Sequence, residues 1–302
     1  MNPPASDSPR NPLLDKIERL QARSREIARE REAKIEAVQS LTRQLPIWGD
    51  AERGLPNSLA RGALFTAVRD NSTRVYFSGS LLTTLNGIDL HYRGQELRQD
   101  DASVFMTILH LARHLPLGEA IEFTAYSMLK ELGWSINSKE YQHLRESIDR
   151  LSATSVRVSA DKGRTGYGGS LVRQFIWKDE AGTQLSRWKI WLEPEIVKLF
   201  GEHAFTIFEW GQRRLIGGKA SLALWLHSFL CTHAEPLPIS VQKYHELSGS
   251  KAKNLFHFRA RLVSALQKLR EINFLAGFKV ENDIVYVQRA RRTAPRLGAR
   301  AA

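Results

Sequence analysis

Residues 236–289 read PLPISVQKYHELSGSKAKNLFHFRARLVSALQKLREINFLAGFKVENDIVYVQR. Their pattern predicts, in order, a strand over 236–240, a helix over 241–247, a turn at 248–250, a long helix over 251–272 and strands over 274–280 and 284–289. A helix–turn–helix followed by a β-hairpin is the winged-helix variant, whose second helix can enter the major groove of DNA. The stretch therefore predicts a winged-helix domain.

A less regular copy of the same order lies upstream. It comprises a strand over 120–124, helices over 125–132 and 138–151, and strands over 154–159 and 171–178. The glycine-rich stretch 163–169 would be the wing tip, with Arg164 and Tyr167 in reach of a DNA backbone. We therefore expect an α+β fold with two tandem winged-helix domains and a helical and disordered N-terminal extension. The expected boundaries are 1–57 for the extension with a linker, 58–201 and 202–289 for the two domains, and 290–302 for a basic tail.

The charge of the chain favours a polyanionic partner. Its 302 residues carry a formal net charge of +12, and neutralising each phosphate of a nucleic acid releases condensed counterions. The C-terminal end adds arginines without an acid among them, which predicts a disordered arm for phosphates or for the minor groove, or merely non-specific charge. These arginines are Arg289, Arg291, Arg292, Arg296 and Arg300.

The sequence also indicates a compartment. The single Cys231 excludes an intramolecular disulfide and suits a reducing environment. The first twelve residues lack the apolar region of a signal peptide. The apolar stretch 220–231 is too short to span a bilayer, which takes about 20 residues. We therefore expect a cytoplasmic protein that does not associate with membranes.

The N-terminal extension has the composition of a helix. Residues 13–44 are rich in Glu, Arg, Gln and Ala and contain no Gly or Pro. In a heptad register the seam includes Ser24, Arg31 and Lys34, whereas a stable coiled coil needs apolar seam residues. Two interpretations stay open: dimerisation through this helix, and a charged helix that docks on a partner.

The helix predicted over 251–272 has an apolar stripe and an opposite polar face. The stripe consists of Leu255, Phe258, Leu262, Leu266 and Leu269, and the polar face of Ser250, Lys253, His257, Ala260 and Ser264. Lys and Arg can contact guanine edges or phosphates, and Asn can pair with adenine. The predicted DNA-binding residues of this helix are Lys251, Lys253, Asn254, His257, Arg259 and Arg261. A solvated basic surface is the alternative.

The helix predicted over 138–151 has a weaker case for contacting DNA. Its outward face carries Glu146 and Asp149, whose charges oppose those of phosphates. We nevertheless include Lys139, Gln142, His143 and Arg145 among the predicted DNA-binding residues. The C-terminal module is expected to be the better sequence reader, and the first a weaker binder or a protein–protein surface.

No catalytic, cofactor or metal site is predicted. The stretch 217–221, GGKAS, departs from a phosphate-binding loop because Ala220 stands where a hydroxyl residue is needed after Lys219. His227, Cys231 and His233 have no fourth ligand at a fitting spacing for a metal. We therefore expect no cofactor and no enzymatic activity.

Several blocks of the sequence resemble the TrfA family of broad-host-range plasmid replication initiators. They are Leu45–Trp48, Arg53–Asn57, Leu59–Phe65, Tyr92–Asp101 and Leu115–Gly118, within a likeness that runs from about Gln44 to Val287. The resemblance implies two winged-helix domains that bind direct repeats (iterons) in double-stranded origin DNA and help open a nearby A·T-rich segment. Contact with A·T-rich single-stranded DNA is a further possibility. It also implies recruitment of the host initiator, the replicative helicase and the sliding clamp, and a monomer–dimer equilibrium in which dimers limit replication.

One predicted partner contact rests on a short motif. Gln44-Leu45-Pro46-Ile47-Trp48 is similar to the pentapeptides that bind bacterial sliding clamps, so Gln44, Leu45, Ile47 and Trp48 are predicted contacts in an extended linker. Leu64 and Phe65 offer a second apolar pair without the glutamine. Packing of either set on the chain's own domain is the alternative.

Other functions share parts of this pattern. A tandem winged-helix transcriptional repressor acting on its own promoter would have the same fold and basic face. The two functions differ in their effect on DNA, because an initiator opens an origin and a repressor occupies a promoter. A protein-docking module would have a neutral helix face. A nicking initiator would need a nucleophilic Tyr supported by a metal, and no clustered His pair indicates one.

Overall fold

The described part of the chain mixes α-helices and β-strands. The computed structural model describes residues 23, 26, 44–69, 72–85, 87–160, 165–201 and 204–290. The chain divides into two units at Arg43 and Gln44. The predicted N-terminal helix lies outside the described residues except for positions 23 and 26, which are helical, and residue 44, a bend. The predicted tail also lies outside them beyond Ala290.

From Gln44 onwards, short strands and helices follow one another. The strands are β1 (Glu52–Pro56), β2 (Phe65–Thr66), β3 (Tyr76–Leu82), β4 (Ile88–Gln95), β5 (Leu97–Arg98), β6 (Ile121–Phe123), β7 (Ser155–Ala160), β8 (Thr165–Gly169), β9 (Gln174–Lys178), β10 (Gln184–Trp191), β11 (Phe205–Glu209), β12 (Ile239–Ser240), β13 (Leu275–Glu281) and β14 (Ile284–Arg289). The α-helices are α1 (Asn57–Ala60), α2 (Gln99–Ala112), α3 (Ala125–Leu132), α4 (Ser138–Ser152), α5 (Trp210–Ile216), α6 (Ser221–Cys231), α7 (Val241–Leu247) and α8 (Leu255–Glu271), and a 3-10 helix covers Pro194–Phe200.

The C-terminal half follows the predicted order of elements. Helix α7 and strand β14 have the predicted bounds, and β12, β14 and β13 form a three-stranded antiparallel sheet in that order. The hairpin turns at Asn282 and Asp283, which have φ of 47° and 58°. Two consecutive positive φ values suit a tight hairpin turn, and Asn and Asp tolerate them well.

Ahead of this module, the sequence predicts one helix over 212–232 with Leu215, Leu222, Leu226 and Phe229 on its buried face, and the structure shows that this helix is not continuous. The chain forms two helices, α5 and α6, separated at Gly217, whose φ is 78°. Glycine tolerates this left-handed region and ends helices there. Leu215, predicted on the buried face, is exposed because it belongs to the short α5.

The first half repeats the strand order with two of the three predicted strands, β6 for 120–124 and β9 for 171–178. Strand β6 precedes helices α3 and α4, strands β9 and β10 follow them, and the three strands form a sheet in the order β6, β10, β9. The predicted wing strand over 154–159 is instead β7, which pairs with β4 and β8. The predicted wing is therefore wrong in its first strand, because alternation along a strand fixes its buried face and not its partner.

The predicted wing-tip role of Tyr167 is also wrong. Tyr167 lies in β8, is buried, and donates its hydroxyl hydrogen to the carbonyl of Ser170 at 2.6 Å. It packs in the core of the four-stranded sheet β3–β4–β7–β8. The side chain of Arg164 lies outside the described residues.

Two hydrophobic clusters lie in the part of the chain from Gln44 onwards. The first runs from Leu45 to Trp210 and contains α2, α3 and α4. The second runs from Ile216 to Val285 and contains α6, α7 and α8, with Ala67 added from the first half. Ala67, together with the partly buried Leu85, indicates that the segments after β2 and after β3 pack against the C-terminal helices.

Strand β1 joins the beginning of the first half to the beginning of the second. It pairs antiparallel with β11, from Glu52 opposite Glu209 to Pro56 opposite Phe205. The preceding Leu45 and Trp48 are buried in the first hydrophobic cluster. The prediction that residues 44–57 form a linker is therefore wrong, because this segment is part of the folded unit.

Candidate nucleic-acid interface

Helices α7 and α8 form a helix–turn–helix in which the N-terminus of each helix is capped. The hydroxyl of Ser240 accepts a hydrogen bond from the backbone N–H of Lys243, and the side-chain oxygen of Asn254 accepts one from the N–H of Phe256. Such caps satisfy backbone donors that have no partner inside the helix. The apolar faces of the two helices meet in the second hydrophobic cluster.

The turn between the two helices packs closely on the first half. Gly249 has φ of 61°, and a β-carbon there would lie 2.8 Å from the methyl carbon of Thr66. The carbonyl of Ser248 accepts a hydrogen bond from the N–H of Ala67 at 2.8 Å. Glycine is needed at 249 both for its backbone conformation and for this close approach.

Helix α8 presents the predicted polar face to solvent. His257, Ala260 and Ser264 are exposed and will be called the reading face, while Phe258, Leu262, Leu266 and Leu269 are buried. A helix that begins with such a face has its N-terminal residues free to approach base edges in a major groove. The prediction of the outward residues of this helix is confirmed for these positions.

Phe256 extends the reading face with an apolar side chain. It is 72% exposed in the first turn of α8, directly before His257. The sequence pattern did not identify it, since aromatic residues are ordinarily assigned to the core. Its position in the sequence could have identified it. Residues three or four positions apart share one face of a helix, and residue 256 is at neither spacing from the buried Phe258 and Leu262.

The start of α8 differs from the prediction, and this moves three predicted DNA-binding residues. The helix begins at Leu255, so Lys251, Lys253 and Asn254 lie in the turn. The cap by Asn254 sets this start. Leu255 is 38% exposed and does not belong to the buried stripe, contrary to prediction.

The two lysines of the turn have different surroundings. The ammonium group of Lys251 lies 2.9 Å from a carboxylate oxygen of Glu96 in the first half. Lys253 is exposed, and no ion pair involves it within the described ranges. Lys253 is therefore the more available of the two for a phosphate or a base.

The two predicted arginines of α8 also have neighbours. Arg259 lies 3.6 Å from the carboxylate of Asp283, on the hairpin turn. Burial lowers the pKa of Arg261, and the nearby charge of Arg69 lowers it further. Arg261 keeps its positive charge at neutral pH and lies near another cation, and no carboxylate among the described residues forms an ion pair with it.

In the first half, helix α4 keeps the predicted outward face. Lys139, Gln142, Glu146 and Asp149 are exposed, and the amide of Gln142 donates to the carboxylate of Glu146 at 2.8 Å. The guanidinium of Arg145 lies over the ring of Trp177, 4.6 Å from its centroid. Carboxylates share this face with the single lysine, so it is less attractive to DNA than the face of α8.

His143 is engaged inside the first half. Its Nε2 lies 3.0 Å from the buried carboxylate of Asp100. The hydrogen bond that His143 donates to Asp100 raises the pKa of His143, against the opposing effect of burial. On the Asp100 side, burial alone would raise its pKa, but the hydrogen bond with His143 and the charge of Arg74 hold that pKa well below its usual range. The pair stabilises the fold and leaves His143 little freedom to contact DNA.

The predicted clamp pentapeptide has its anchors in the core. Leu45 and Trp48 are 2% and 4% exposed, and the indole N–H of Trp48 donates to Nδ1 of His110 at 3.1 Å. Gln44 donates its amide hydrogen to the carbonyl of Arg113, while Ile47 is 67% exposed. In the second candidate set, Leu64 and Phe65 are buried. These side chains pack on the chain's own core, as the alternative interpretation had it.

His227, Cys231 and His233 form no metal site in the described part of the chain. There, no group of three or more His, Cys, Asp or Glu side chains could hold an ion. His227 is fully buried, and the thiol of Cys231 lies 3.9 Å from its Nε2. Burial lowers the pKa of His227, as do the charges of Arg213 and Arg289, so His227 is a neutral core residue.

No helix within the described ranges combines the length and the apolar character needed to cross a bilayer.

Comparison with known proteins identifies relatives of the chain. A family model described as "TrfA protein" matches residues 14–289. A protein of Escherichia coli described as "Plasmid replication initiator protein TrfA" is 30% identical over 244 residues, which are 80% of this chain and 63% of that protein. The match therefore spans less than two thirds of the relative's length.

A solved structure shares the fold. The crystal structure of domains 2 and 3 of RctB superposes with a TM-score of 0.52 and covers 78% of this chain and 98% of that chain. The two sequences are 15% identical. At this level of identity the likeness shows the fold alone.

Proposed function

The chain belongs to the TrfA family, and on that premise we propose that it initiates plasmid replication by binding repeated DNA sites at an origin. The name of the E. coli relative supports a role in plasmid replication. The net charge of +12 supports a polyanionic partner. The repeats are proposed to be iterons, that is, direct repeats of one short double-stranded sequence.

Two winged-helix modules in tandem are part of the proposal. The sheets β6–β10–β9 and β12–β14–β13 support it, because each places the strand before the helix–turn–helix next to the last strand of the hairpin. In each half the longer helix follows a short one, α4 after α3 and α8 after α7. Two copies of one element order are a simple basis for contacting DNA over an extended site.

The observation that carries the proposal is the exposed surface of α8. The reading face of His257, Ala260 and Ser264 lies beside the free cation Lys253 and the exposed Phe256. An α-helix with its side chains is about 10–12 Å wide and a major groove about 12 Å, so small residues in the middle of the face let the helix approach closely. In this proposal the C-terminal module recognises the bases. The first module contacts the DNA backbone through Lys139 and Gln142.

Recruitment of the host initiator, the replicative helicase and the sliding clamp belongs to the same proposal, as do contact with an opened A·T-rich strand and a monomer–dimer equilibrium. For residues 44–48, the sequence motif favours a clamp contact, but the position of the segment in the structure favours it less. Contact through it requires Leu45 and Trp48 to leave the core. We propose that the protein acts in the cytoplasm by binding, without catalysis or a cofactor.

A gel-shift titration tests the proposal. DNA carrying several direct repeats of the cognate origin is compared with scrambled DNA of the same length at two salt concentrations. The expected result is a ladder of complexes that matches the number of repeats and survives scrambled competitor. Equal, salt-labile binding to both DNAs would contradict the proposal, because it would reduce the protein to a basic chain with general affinity for DNA.

A matched pair of variants makes the test specific to α8. Lys253→Ala with His257→Ala removes two side chains at the proposed DNA surface, and each base or phosphate contact is worth about 1–3 kcal/mol. Lys198→Ala removes a cation on the 3-10 helix, where it pairs with Glu195. We expect the first variant to lose the ladder and the second to keep it. Permanganate reactivity of a supercoiled origin then separates an initiator, which opens the duplex, from a repressor, which occupies a promoter.

A further inference from the structure

A cleft lined by cations lies beside the reading face. Its volume is about 160 Å³, well above the roughly 10–15 Å³ that one water molecule needs on the same measure. Its polar lining comes from three separate segments: Arg69 after β2, Lys219 and Ser221 at the start of α6, and Arg261, Ser264 and Lys268 on one flank of α8. No Asp or Glu lines it within the described ranges.

The positive charges of the cleft are not neutralised. None of Arg69, Lys219, Arg261 and Lys268 forms an ion pair with a carboxylate in the described part of the chain. Arg261 is partly buried, and the charge of Arg69 acts on it without compensation. Like charges gathered in a concave surface focus a positive potential, so an anion that enters relieves the repulsion.

The backbone at the start of α6 adds hydrogen-bond donors. Helix α6 has 11 residues, and its N-cap, Ala220, supplies no side-chain cap. The N–H groups of Ser221, Leu222 and Ala223 lack partners inside the helix, and these residues line the cleft. Such a helix start favours a negative charge and is a common site for phosphate groups.

The hydroxyl of Ser221 adds a side-chain donor to these backbone groups. The residue is only 6% exposed and lines the cleft, yet its hydroxyl makes no hydrogen bond to any described residue. The oxygen itself is not enclosed, so the hydroxyl is accessible from the cleft and can donate to an oxygen of a bound anion.

We infer that this cleft holds one phosphate group of the DNA backbone, next to the bases that face α8. The inference rests on the proposed function and adds to it a docking point outside the reading face. Ser264 belongs to both surfaces, so the cleft and the reading face are continuous. A phosphate of the bound duplex can therefore enter the cleft while α8 lies in the adjoining groove. Contacts of this kind fix the register of a protein on DNA and carry no sequence information themselves.

The inference is tested with charge-neutral variants of two cleft lysines. Lys219→Gln and Lys268→Gln are made singly and combined, and Lys198→Gln on the 3-10 helix is the control with the same loss of charge as each single variant. Binding to repeat DNA and to scrambled DNA is measured by fluorescence anisotropy over a series of salt concentrations. We expect the double variant to bind both DNAs about tenfold more weakly and to reduce the salt slope by about 1, with little change in the preference for repeats. The control should keep the wild-type slope.

A chemical change in the DNA locates the phosphate. Single phosphates of one repeat are replaced in turn by neutral methylphosphonates. At one position, the neutral group should lower the affinity of the wild-type protein. The affinity of the double variant should not fall further at that position, because the lysines that contact this phosphate are already absent. Ser221→Ala should show a smaller effect at the same position. Additive losses at every position would overturn the inference.

The outcomes separate this inference from the proposed function. Unchanged affinity and salt slope in the double variant, with repeats still preferred, would overturn the phosphate site and leave the initiator proposal intact. A wild-type protein that does not prefer repeats would overturn both. Thermal stabilisation by micromolar inorganic phosphate, lost in the double variant without a change in DNA binding, would assign the cleft to a free anion instead.

Discussion

The ammonium group of Lys251 lies 2.9 Å from one carboxylate oxygen of Glu96 and 3.0 Å from the other. Glu96 is 1% exposed and also binds the guanidinium of Arg98 at 2.8 Å. Lys251 stands in the turn before α8, and Glu96 between β4 and β5. The turn that positions the proposed DNA-reading helix is thus held by a buried charge of the first half.

The contact with Glu96 predicts a structural role for Lys251. In Lys251→Ala the free energy of unfolding should fall by about 1 kcal/mol, a small value because the lysine is 43% exposed and Glu96 keeps Arg98. Affinity for repeat DNA should fall less than in Lys253→Ala. Urea unfolding and anisotropy titrations measure the two effects. Full stability combined with the larger loss of affinity in Lys251→Ala would contradict the assignment.

Phe256 is predicted to contact thymine. An exposed aromatic side chain at the start of a helix in the major groove suits the thymine methyl group. Phe256→Ala should weaken binding to repeats by about 1–3 kcal/mol and change stability by less than about 0.5 kcal/mol. The measurement compares DNA containing thymine with DNA containing deoxyuridine in its place. Leu237→Ala is the control, since Leu237 is 74% exposed and lies before β12.

For the thymine contact, the decisive result is the difference between the two DNAs. Wild type and Leu237→Ala should bind deoxyuridine DNA more weakly than thymine DNA, and Phe256→Ala should bind both alike. If Phe256→Ala remains as sensitive to the methyl group as wild type, Phe256 does not contact it.

Trp48 is predicted to stabilise the core, whatever its role toward a partner. It stacks on Phe200 with ring centroids 6.2 Å apart, in addition to its bond to His110. Trp48→Ala should cost about 3–5 kcal/mol of unfolding free energy. Ile47→Ala, in the same pentapeptide, should change it by less than about 0.5 kcal/mol. Equal stability of the two variants in urea would show that the segment is free to bind a clamp.

The pair of His143 and Asp100 predicts a dependence of stability on pH. The folded-state pKa of His143 is raised by the bond to Asp100, so the stabilisation is fully present below the unfolded value near 6.5 and is lost as pH rises through the folded value. His143→Gln should therefore destabilise the protein more at pH 6 than at pH 9. Urea unfolding at both pH values measures this, with the exposed His91→Gln as control. A cost that stays the same at the two pH values would argue against a charged pair.

Local pattern predicted the helix–turn–helix better than the wing. The bounds of α7 follow from a strong period and a Ser cap, both written in adjacent residues. The predicted start of α8 is four residues early, because the prediction begins the helix directly after the turn at 248–250, whereas the cap at Asn254 sets its start at Leu255. Strand β7 alternates as a wing strand would, yet it pairs with β4, more than sixty residues away. Such a pairing is decided by the tertiary fold.

The candidate site was predicted only where it lies on one helix. His257, Ala260 and Ser264 share a face by helical periodicity, so the sequence could identify them. The cationic cleft brings Arg69 and Lys219 to the flank of α8 from distant segments, and no local pattern connects these residues. Lys251 has the same residue type as Lys253, and only the position of Glu96 distinguishes their surroundings.

Strand β1 has a consequence for how such proteins can evolve. Its partner β11 follows the whole first half, so residues 52–56 and 205–209 must match each other although the sequence of one module separates them. A recombination event that replaced only residues after 201 would join a foreign β11 to the resident β1. Inheritance of a new DNA specificity is therefore easier by substitution on the surface of α8 than by exchange of a complete module.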